Sequence, residues 1–303
     1  MLFRSESSFP TSFEEITLEA DPETVTPEKA CAWHSSGINR ISFGSQSFVD
    51  AELIAAGRMH RAKDIYAACA IHQGAGVPNI SFDLIAGLPK QTHASWRHSL
   101  AETIALSPQH VSIYMMEIDE GSRLGLEVLE SGSRYSAREL PSEESMADFY
   151  ELAQRELESA GYQQYEISNW ARPGFASKHN LKYWRREPYL GFGAGAHSFS
   201  GTQRWSNKHD AAAYVDAITS SKSAIENLQS LTPSEALEEE FFLGLRQLSG
   251  INLTRIQTQY NIDLRSKIAN LTSAGLVEQQ ADTLRLSRSK LNISNEILVE
   301  LLR

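Results

Sequence analysis

Polar side chains follow several strand-like segments of this sequence, and they are the first candidates for chemistry. Glu19, Gln46, Asp83 and Glu117 each lie at or near the end of such a segment. A carboxylate at a strand end can accept two hydroxyl hydrogen bonds from a ribose, and a glutamine can both donate and accept. The alternative interpretation is that an acid at a strand end is a solvated surface residue with no role in binding.

Asp83 and a further polar residue, His110, allow two interpretations each. Asp83 stands between Phe82 and Leu84, where a carboxylate is costly unless it is paired or faces a polar cavity. Arg58 is a candidate partner for it. His110 precedes a strand-like segment and is either an acid–base group or metal ligand, or a hydrogen-bonded structural residue.

The region between Tyr165 and Ser198 is dense in aromatic, glycine and histidine residues. His179 and His197 lie within it. Small residues let a ligand approach the backbone, and aromatic side chains suit a planar, largely apolar ligand with acidic groups. A tightly packed loop platform is the alternative. The glycines lack the strand–helix context of a dinucleotide-binding fingerprint.

Composition excludes several classes of function. The chain has 303 residues, with 28 Lys and Arg against 38 Asp and Glu, which gives a net charge of −10. This balance argues against a nucleic-acid-binding protein that works by neutralising phosphates. Two cysteines, Cys31 and Cys69, are too few for a disulfide framework or a cysteine-based metal site. We find neither a signal-peptide pattern nor an apolar run of roughly 20 residues, so we expect a cytoplasmic protein.

The elements that position the polar residues alternate along the first half of the chain. Three helix-like segments, over residues 26–36, within residues 55–74 and over residues 92–106, separate four strand-like segments that end near Glu19, Gly44, Ile85 and Met115. This alternation predicts parallel β/α units, either in a barrel or in a doubly wound sheet. In both folds the chemistry lies at the C-terminal ends of the strands.

The pattern changes after Met116. Residues 121–136 are polar and rich in glycine and serine, which predicts a loop or lid. An amphipathic helix follows over residues 142–160. From Leu231 onward, three helical segments and a hairpin suggest a small winged-helix module.

An ordered series of short motifs then resembles one known family. The series comprises residues 16–22 (ITLEADP), 37–48 (GINRISFGSQSF), 83–92 (DLIAGLPKQT), 110–114 (HVSIY), 165–169 (YEISN) and the platform from His179 to His197. It is similar to the radical S-adenosylmethionine (SAM) family related to oxygen-independent coproporphyrinogen III oxidase. The segment His179-Asn180-x-x-Tyr183-Trp184 is most similar to the heme chaperones of the HemW type.

This resemblance implies an α/β fold in three parts. Residues 1–120 would form a partial (β/α)6 radical-SAM-type barrel that is N-terminally incomplete. Residues 121–230 would form an α+β extension, and residues 231–303 a C-terminal winged-helix-like module. Motif matching implies that Glu19, Gln46, Arg58 and Asp83 hold SAM, with Glu19 at its ribose. His179 and His197 are the implied heme-binding residues.

The implied function is that of a chaperone that binds heme and transfers it to acceptor proteins, membrane-bound ones included. Alternatives are a radical SAM oxidase of a porphyrinogen side chain and an inactive fragment. The resemblance implies SAM, heme and a [4Fe–4S] cluster, and the acidic net charge argues against a nucleic-acid partner. The sequence alone does not decide whether the chain is an enzyme, nor its oligomeric state.

One departure from the family concerns the cluster. The family binds [4Fe–4S] through Cys-x3-Cys-x2-Cys, and this motif and the Gly-Gly-Gly-Thr-Pro segment are absent here. Cys31 and Cys69 have the wrong spacing and cannot supply three thiolates. We expect an N-terminally shortened sequence, with residues 1–13 as the remnant of a helix, rather than a degenerate family member. The reason is that losing two parallel strands exposes a sheet edge.

Overall fold

The structure is a computed structural model in which residues 13–119, 121–130 and 132–302 are described. The chain divides into two compact units between Ser177 and Lys178. The predicted helix remnant over residues 1–13 lies outside the described residues, apart from Phe13. The predicted three-part division after residues 120 and 230 stays a prediction.

Strands and helices alternate in the first unit, as the sequence predicts. In chain order the elements are β1 (Thr17–Ala20), α1 (Pro27–Ser35), β2 (Arg40–Gln46), α2 (Asp50–Ala55), α3 (Ala62–Gly74), β3 (Ile80–Ala86), α4 (His93–Leu106), β4 (His110–Met115), α5 (Arg123–Leu129), α6 (Glu143–Ser159), β5 (Gln163–Glu166) and β6 (Asn169–Ala171). Short 3-10 turns cover Pro22–Thr24 and Arg134–Glu139.

These six strands form one sheet in the order β1-β2-β3-β4-β6-β5. Strands β1 to β4 are parallel, whereas β6 pairs antiparallel with both β4 and β5. The predicted α/β class is therefore confirmed. The β5–β6 hairpin adds two strands that the sequence pattern did not predict.

The two faces of this sheet differ in chemistry. Helices α3 and α6 contact strands of this sheet. One face of the sheet carries apolar side chains that are at most 1% exposed, namely Ile41, Phe43, Ile80, Phe82, Leu84, Val111 and Ile113. The alternate positions carry polar side chains, namely Arg40, Ser42, Ser81, Asp83, His110 and Ser112. We call this second surface the polar face.

Local signals set the start of two helices. The Thr26 hydroxyl accepts a hydrogen bond from the Lys29 amide, and Pro27 takes the first helical position of α1. Thr92 caps α4 in the same way, with the Ser95 hydroxyl accepting a hydrogen bond from the Thr92 amide. Such caps need only neighbouring residues, so the sequence predicts both helices closely.

The helix expected within residues 55–74 is present as α3, and the sequence did not predict α2, which ends at Ala55 just before Gly57 with its φ of 72°. One predicted segment is wrong in detail. The loop expected over residues 121–136 contains α5. Ser122 caps the start of this helix, because its hydroxyl accepts a hydrogen bond from the Gly125 amide at 3.0 Å. The polar composition of the segment favoured a loop in the sequence analysis.

The second unit contains shorter elements. They are α7 (Lys178–Trp184), β7 (His197–Phe199), β8 (Gln203–Asn207), α8 (Ala211–Thr219), β9 (Ile225–Ser230), α9 (Pro233–Gly244), β10 (Ile251–Asn252), α10 (Leu253–Tyr260), α11 (Arg265–Ser273), β11 (Val277–Gln280), β12 (Thr283–Leu286) and α12 (Ser294–Leu302). Two antiparallel sheets form, β7-β8-β9 and β10-β12-β11. Among the described helices, none is both long and apolar enough to cross a membrane.

Candidate functional site

Asp83 lies on the polar face, where two serines hold its carboxylate. Ser42 Oγ donates to Asp83 Oδ2 at 3.1 Å, and Ser112 lies opposite Asp83 in the register and also hydrogen-bonds to it. Burial raises the pKa of Asp83, while these hydrogen bonds and the charge of Arg40 oppose that rise. The face therefore presents a half-buried carboxylate in a polar setting.

The predicted pairing of Asp83 with Arg58 is wrong. The Arg58 guanidinium instead lies 3.3 Å from Asp21 Oδ1. Asp21 follows the end of β1, whereas Arg58 lies in the loop after α2. Sequence spacing could not show whether Arg58 pairs with Asp21 or Asp83, because the pairing depends on which strand-end turn lies beside the loop after α2.

Gln46 and Arg58, two of the predicted SAM residues, line a common cleft of about 720 Å3. Gln46 has a φ of 62° at the point where the β2–β3 register shifts. A Cβ atom on Gly44 would lie 3.1 Å from Gln46 Nε2 and 3.4 Å from Asp21 Oδ1. The end of β2, the turn after β1 and the loop after α2 thus bring Gln46, Asp21 and Arg58 into one region.

Of the other two predicted SAM residues, Glu19 is exposed at the end of β1 and Asp83 is on the polar face. Glu19 lies opposite Ser42 in the register, and its charge raises the pKa of Asp83. The carboxylates of Glu19 and Asp83 are therefore close enough to interact electrostatically. The cleft itself is lined by Ile85, the neighbour of Asp83 two positions along β3.

A buried carboxylate that motif and spacing did not reveal stabilises the turns around this cleft. Glu52 is 1% exposed and accepts hydrogen bonds from Ser47 Oγ at 2.6 Å and Gln91 Nε2 at 3.3 Å. Gln91 in turn accepts from the Gly87 amide at 2.6 Å. The turns after β2 and β3 are thus joined through side chains. The motif DLIAGLPKQT contained the signal, since its glutamine follows a strand end.

His110 is fully buried and hydrogen-bonded on both ring nitrogens. Its Nδ1 lies 2.8 Å from Ser81 Oγ, and its Nε2 lies 2.8 Å from Tyr165 Oη. Burial, helped by the charge of Arg40, holds the pKa of His110 well below its ordinary value. The structural interpretation of His110 is the one that this geometry favours. No group of three His, Cys, Asp or Glu residues able to hold a metal occurs in the described part of the chain.

The two cysteines are both free. Cys31 is exposed on α1, and Cys69 is buried on α3, where burial raises the pKa of its thiol. A raised pKa disfavours the thiolate that a metal requires. The described residues therefore do not fit an iron–sulfur cluster.

In the second unit, different elements position the two predicted heme residues. His179 is exposed in the first turn of α7, and its ring meets that of Tyr183 edge-on at 4.9 Å. His197 is exposed on β7, opposite Ser206 of β8. Tyr183 continues the contact to Tyr189 at 4.6 Å. An aromatic row thus runs from His179 into the unit.

A pocket of about 800 Å3 lies beside this row. Its aromatic lining comprises Tyr183, Trp184, Tyr189, Phe199 and Phe242. Arg186 and Arg204 also line it, with their guanidinium groups 5.2 Å and 4.3 Å from the centre of the Phe199 ring. Volume and aromatic lining fit a planar, largely apolar ligand. The lining also contains four glutamates, Glu187, Glu235, Glu238 and Glu239, so acids outnumber the two arginines.

Glu239 on α9 orients both arginines. It accepts hydrogen bonds from Arg186 Nε at 2.9 Å and from Arg204 Nε at 2.6 Å. Burial raises the pKa of Glu239, but the hydrogen bonds from Arg204 and Arg186 outweigh that and lower it. Sequence patterns did not reveal these three residues, because the partners lie 53 and 35 positions apart along the chain.

Known proteins resemble this chain in both sequence and fold. Residues 231–289 match the family model of the HemN C-terminal domain. The heme chaperone HemW of Bacillus subtilis (strain 168) is 35% identical over 287 residues, which cover 93% of this chain and 74% of that protein. The heme chaperone HemW of Escherichia coli (strain K12) is 38% identical over 183 residues, which cover 60% of this chain and 46% of that protein.

Among solved structures, coproporphyrinogen III oxidase (HemN) from Escherichia coli, a radical SAM enzyme, matches with a TM-score of 0.77. The match covers 95% of this chain and 69% of that chain, at 20% sequence identity. At this identity the likeness concerns the fold alone.

Proposed function

Because this chain belongs to the HemW family of heme chaperones, we propose that it binds heme and passes it to heme-accepting proteins. The observation that carries this proposal is the 35% identity to the Bacillus subtilis heme chaperone across 93% of the chain. The acceptors, membrane-bound ones included, and a location in the cytoplasm are parts of the same proposal.

The second unit is the proposed place of heme binding. Its aromatic pocket suits the porphyrin plane, and Arg186 and Arg204, both paired with Glu239, are the cations that line it. His179 and His197 are the proposed iron ligands, because both imidazoles are exposed. Heme is cargo in this proposal, so its site needs access more than enclosure.

The first unit is the proposed place of SAM binding. Gln46 and Arg58 line the cleft, Asp83 offers a half-buried carboxylate on the polar face, and Glu19 is accessible at the end of β1. These side chains would bind and orient the nucleoside and amino-acid parts of SAM, which supplies the family's cofactor chemistry when bound. We further propose that the six-stranded sheet is a partial radical-SAM barrel, and that residues 231–303 form a winged-helix-like module.

The cluster is a different matter, because the described residues do not fit it. Cys31 and Cys69 lie on separate helices, and two thiols cannot supply three thiolate ligands. We therefore derive no redox step for this chain. The oxidase alternative depends on such a step, whereas binding and transferring heme does not.

Heme titration of the purified chain tests the proposal. We expect a Soret shift with saturation, and roughly tenfold weaker binding in His179→Ala or His197→Ala, which is about 1.4 kcal/mol. His98→Ala is the matched control, because His98 is an exposed histidine on α4 of the other unit. Its titration should equal that of the wild type.

Two results would count against this assignment. Unchanged titrations in both His179→Ala and His197→Ala would remove these residues as ligands. A chain that shows no Soret shift at all, although circular dichroism reports it as folded, would remove heme binding itself.

A further inference from the structure

Arg40 is a buried cation whose side chain makes no hydrogen bond to another residue that the structure describes. It is the first residue of β2, is 4% exposed, and lies opposite Thr17 in the register. Its Nε atom is buried and has no hydrogen-bond partner. Within residues 13–119, 121–130 and 132–302, no ion pair includes Arg40.

Such an arrangement is costly, because a buried charge normally needs a partner at hydrogen-bond distance. An arginine that serves packing alone would satisfy its fork of donors with carbonyl or carboxylate oxygens. Arg40 therefore contributes mainly its positive charge to the polar face.

That charge acts on named groups of the polar face. It opposes the effect of burial on Asp83, and it reinforces the effect of burial on His110. Asp83 is the carboxylate that would face a bound ligand, whereas His110 is enclosed by Ser81 and Tyr165. The charge of Arg40 therefore affects ligand binding by way of Asp83 and not of His110.

The other groups that face Asp83 come from three strands. Glu19 on β1 is an acid that works against its ionisation, and Ser42 on β2 and Ser112 on β4 hydrogen-bond to it. Tyr114 on β4 remains protonated, since burial and then the charge of Asp83 raise the pKa of Tyr114 to about 12. Among the described groups that act on Asp83, Arg40 is the cation.

We propose that Arg40 is a positioning residue whose buried positive charge keeps Asp83 in its carboxylate form for hydrogen bonding to a bound nucleoside ligand. Arg40 itself need not touch that ligand. The inference rests on the proposed SAM site, and it adds a residue that motif matching did not place there.

The test separates the charge of Arg40 from its bulk. Arg40→Met removes the charge and keeps a long side chain, while Arg40→Lys keeps the charge. Arg155→Met is the matched control, because it removes an exposed positive charge from α6. Carbon-13 NMR follows the Asp83 carboxyl group through a pH titration, with Asp83→Asn assigning the signal.

We expect the Asp83 midpoint to rise by up to about one unit in Arg40→Met, because a positive charge that favours the carboxylate is lost while the hydrogen bonds from Ser42 and Ser112 remain. Arg155→Met should leave it unchanged, and Arg40→Lys should restore most of the wild-type value. Calorimetry with S-adenosylhomocysteine between about pH 4 and pH 8 should show the acid limb of binding moving to higher pH by the same amount.

Each other outcome has a definite meaning. An unchanged Asp83 midpoint in folded Arg40→Met overturns the role of Arg40, and so does an equal loss of affinity at every pH. If the midpoint moves but wild-type chain binds no S-adenosylhomocysteine, the SAM site is wrong and the role of Arg40 on Asp83 stands. Arg40→Gln is a second neutral variant. If both neutral variants fail to fold while Arg40→Lys folds, the charge serves folding and the proposal is wrong.

Discussion

Single residues on the polar face show how burial and hydrogen bonding give neighbouring side chains different roles. Asp83 keeps two serine partners and an open side, whereas His110 is bonded at both ring nitrogens. Asp83 is half-buried and can meet a ligand, whereas the fully buried imidazole of His110 cannot. Motif position alone does not separate these two cases.

His110 predicts that stability declines in mild acid. Its folded-state pKa is far below the ordinary 6.5, so only the unfolded chain takes up this proton near that pH. The stabilisation is present above that pH and is lost as pH falls through it. His110→Gln should flatten the dependence by up to about 1.4 kcal/mol per pH unit. Hydrogen exchange of β3 and β4 amides between about pH 5.5 and 7.5 measures this.

His98→Gln is the control for that measurement, because His98 is exposed on α4. It should leave the slope unchanged. Burial also lowers the pKa of His72, so part of the slope should survive in His110→Gln. If His110→Gln keeps the full wild-type slope, the assignment of the proton to His110 is wrong.

At the scale of secondary-structure elements, the turns that follow the strands determine where the site residues lie. The turn after β3 packs closely on α6, and Glu52 and Gln91 connect it to the turn after β2. Gly87 occupies the tightest point, with a φ of 107°. A Cβ atom there would come 2.4 Å from Met146 Sδ on α6.

Gly87→Ala should therefore destabilise the first unit by more than about 1 kcal/mol, through both its φ and the contact with Met146. Gly74→Ala is the matched variant, because Gly74 ends α3 and a Cβ atom there would meet nothing within 4 Å. It should be neutral, or stabilising by up to roughly 1 kcal/mol. Urea unfolding of both variants compares them, and equal losses would refute the steric argument.

At the scale of the whole molecule, each unit depends on contacts between distant parts of the chain. In the second unit, Glu239 and Glu240 on α9 hold Arg186, Arg204 and Arg255. The segment that contains the predicted heme residues is thereby connected to the region that matches the HemN C-terminal domain. Removing the Glu239 carboxylate would leave Arg204 without its carboxylate partner and Arg186 with Glu240 alone.

Glu239→Gln should accordingly destabilise the second unit by about 2 to 3 kcal/mol, since Arg186 is only 9% exposed. The loss should also weaken heme binding, because both arginines line the pocket. Asp263→Asn is the control, as it breaks an exposed ion pair with Arg265 and should leave the melting temperature unchanged. A Glu239→Gln chain as stable as the control would show that the network contributes only packing.

The sequence by itself determined the α/β alternation, the starts of α1 and α4, and the family, which the comparisons confirmed. Caps, turns and strand patterns depend on neighbouring residues, so they can be read along the chain. It also predicted Glu19, Gln46, Arg58, Asp83, His179 and His197 as site residues, and their roles stay predictions.

Only the tertiary structure decided which side chains meet. It paired Arg58 with Asp21, buried Glu52 between two turns, left Arg40 on the polar face without an ion pair to any described residue, and joined Arg186 to Glu239 across 53 positions. Motifs and spacing carry no information about such contacts. They arise because strand register and helix packing bring distant residues together, and because burial then makes each charge depend on whichever neighbours the fold supplies.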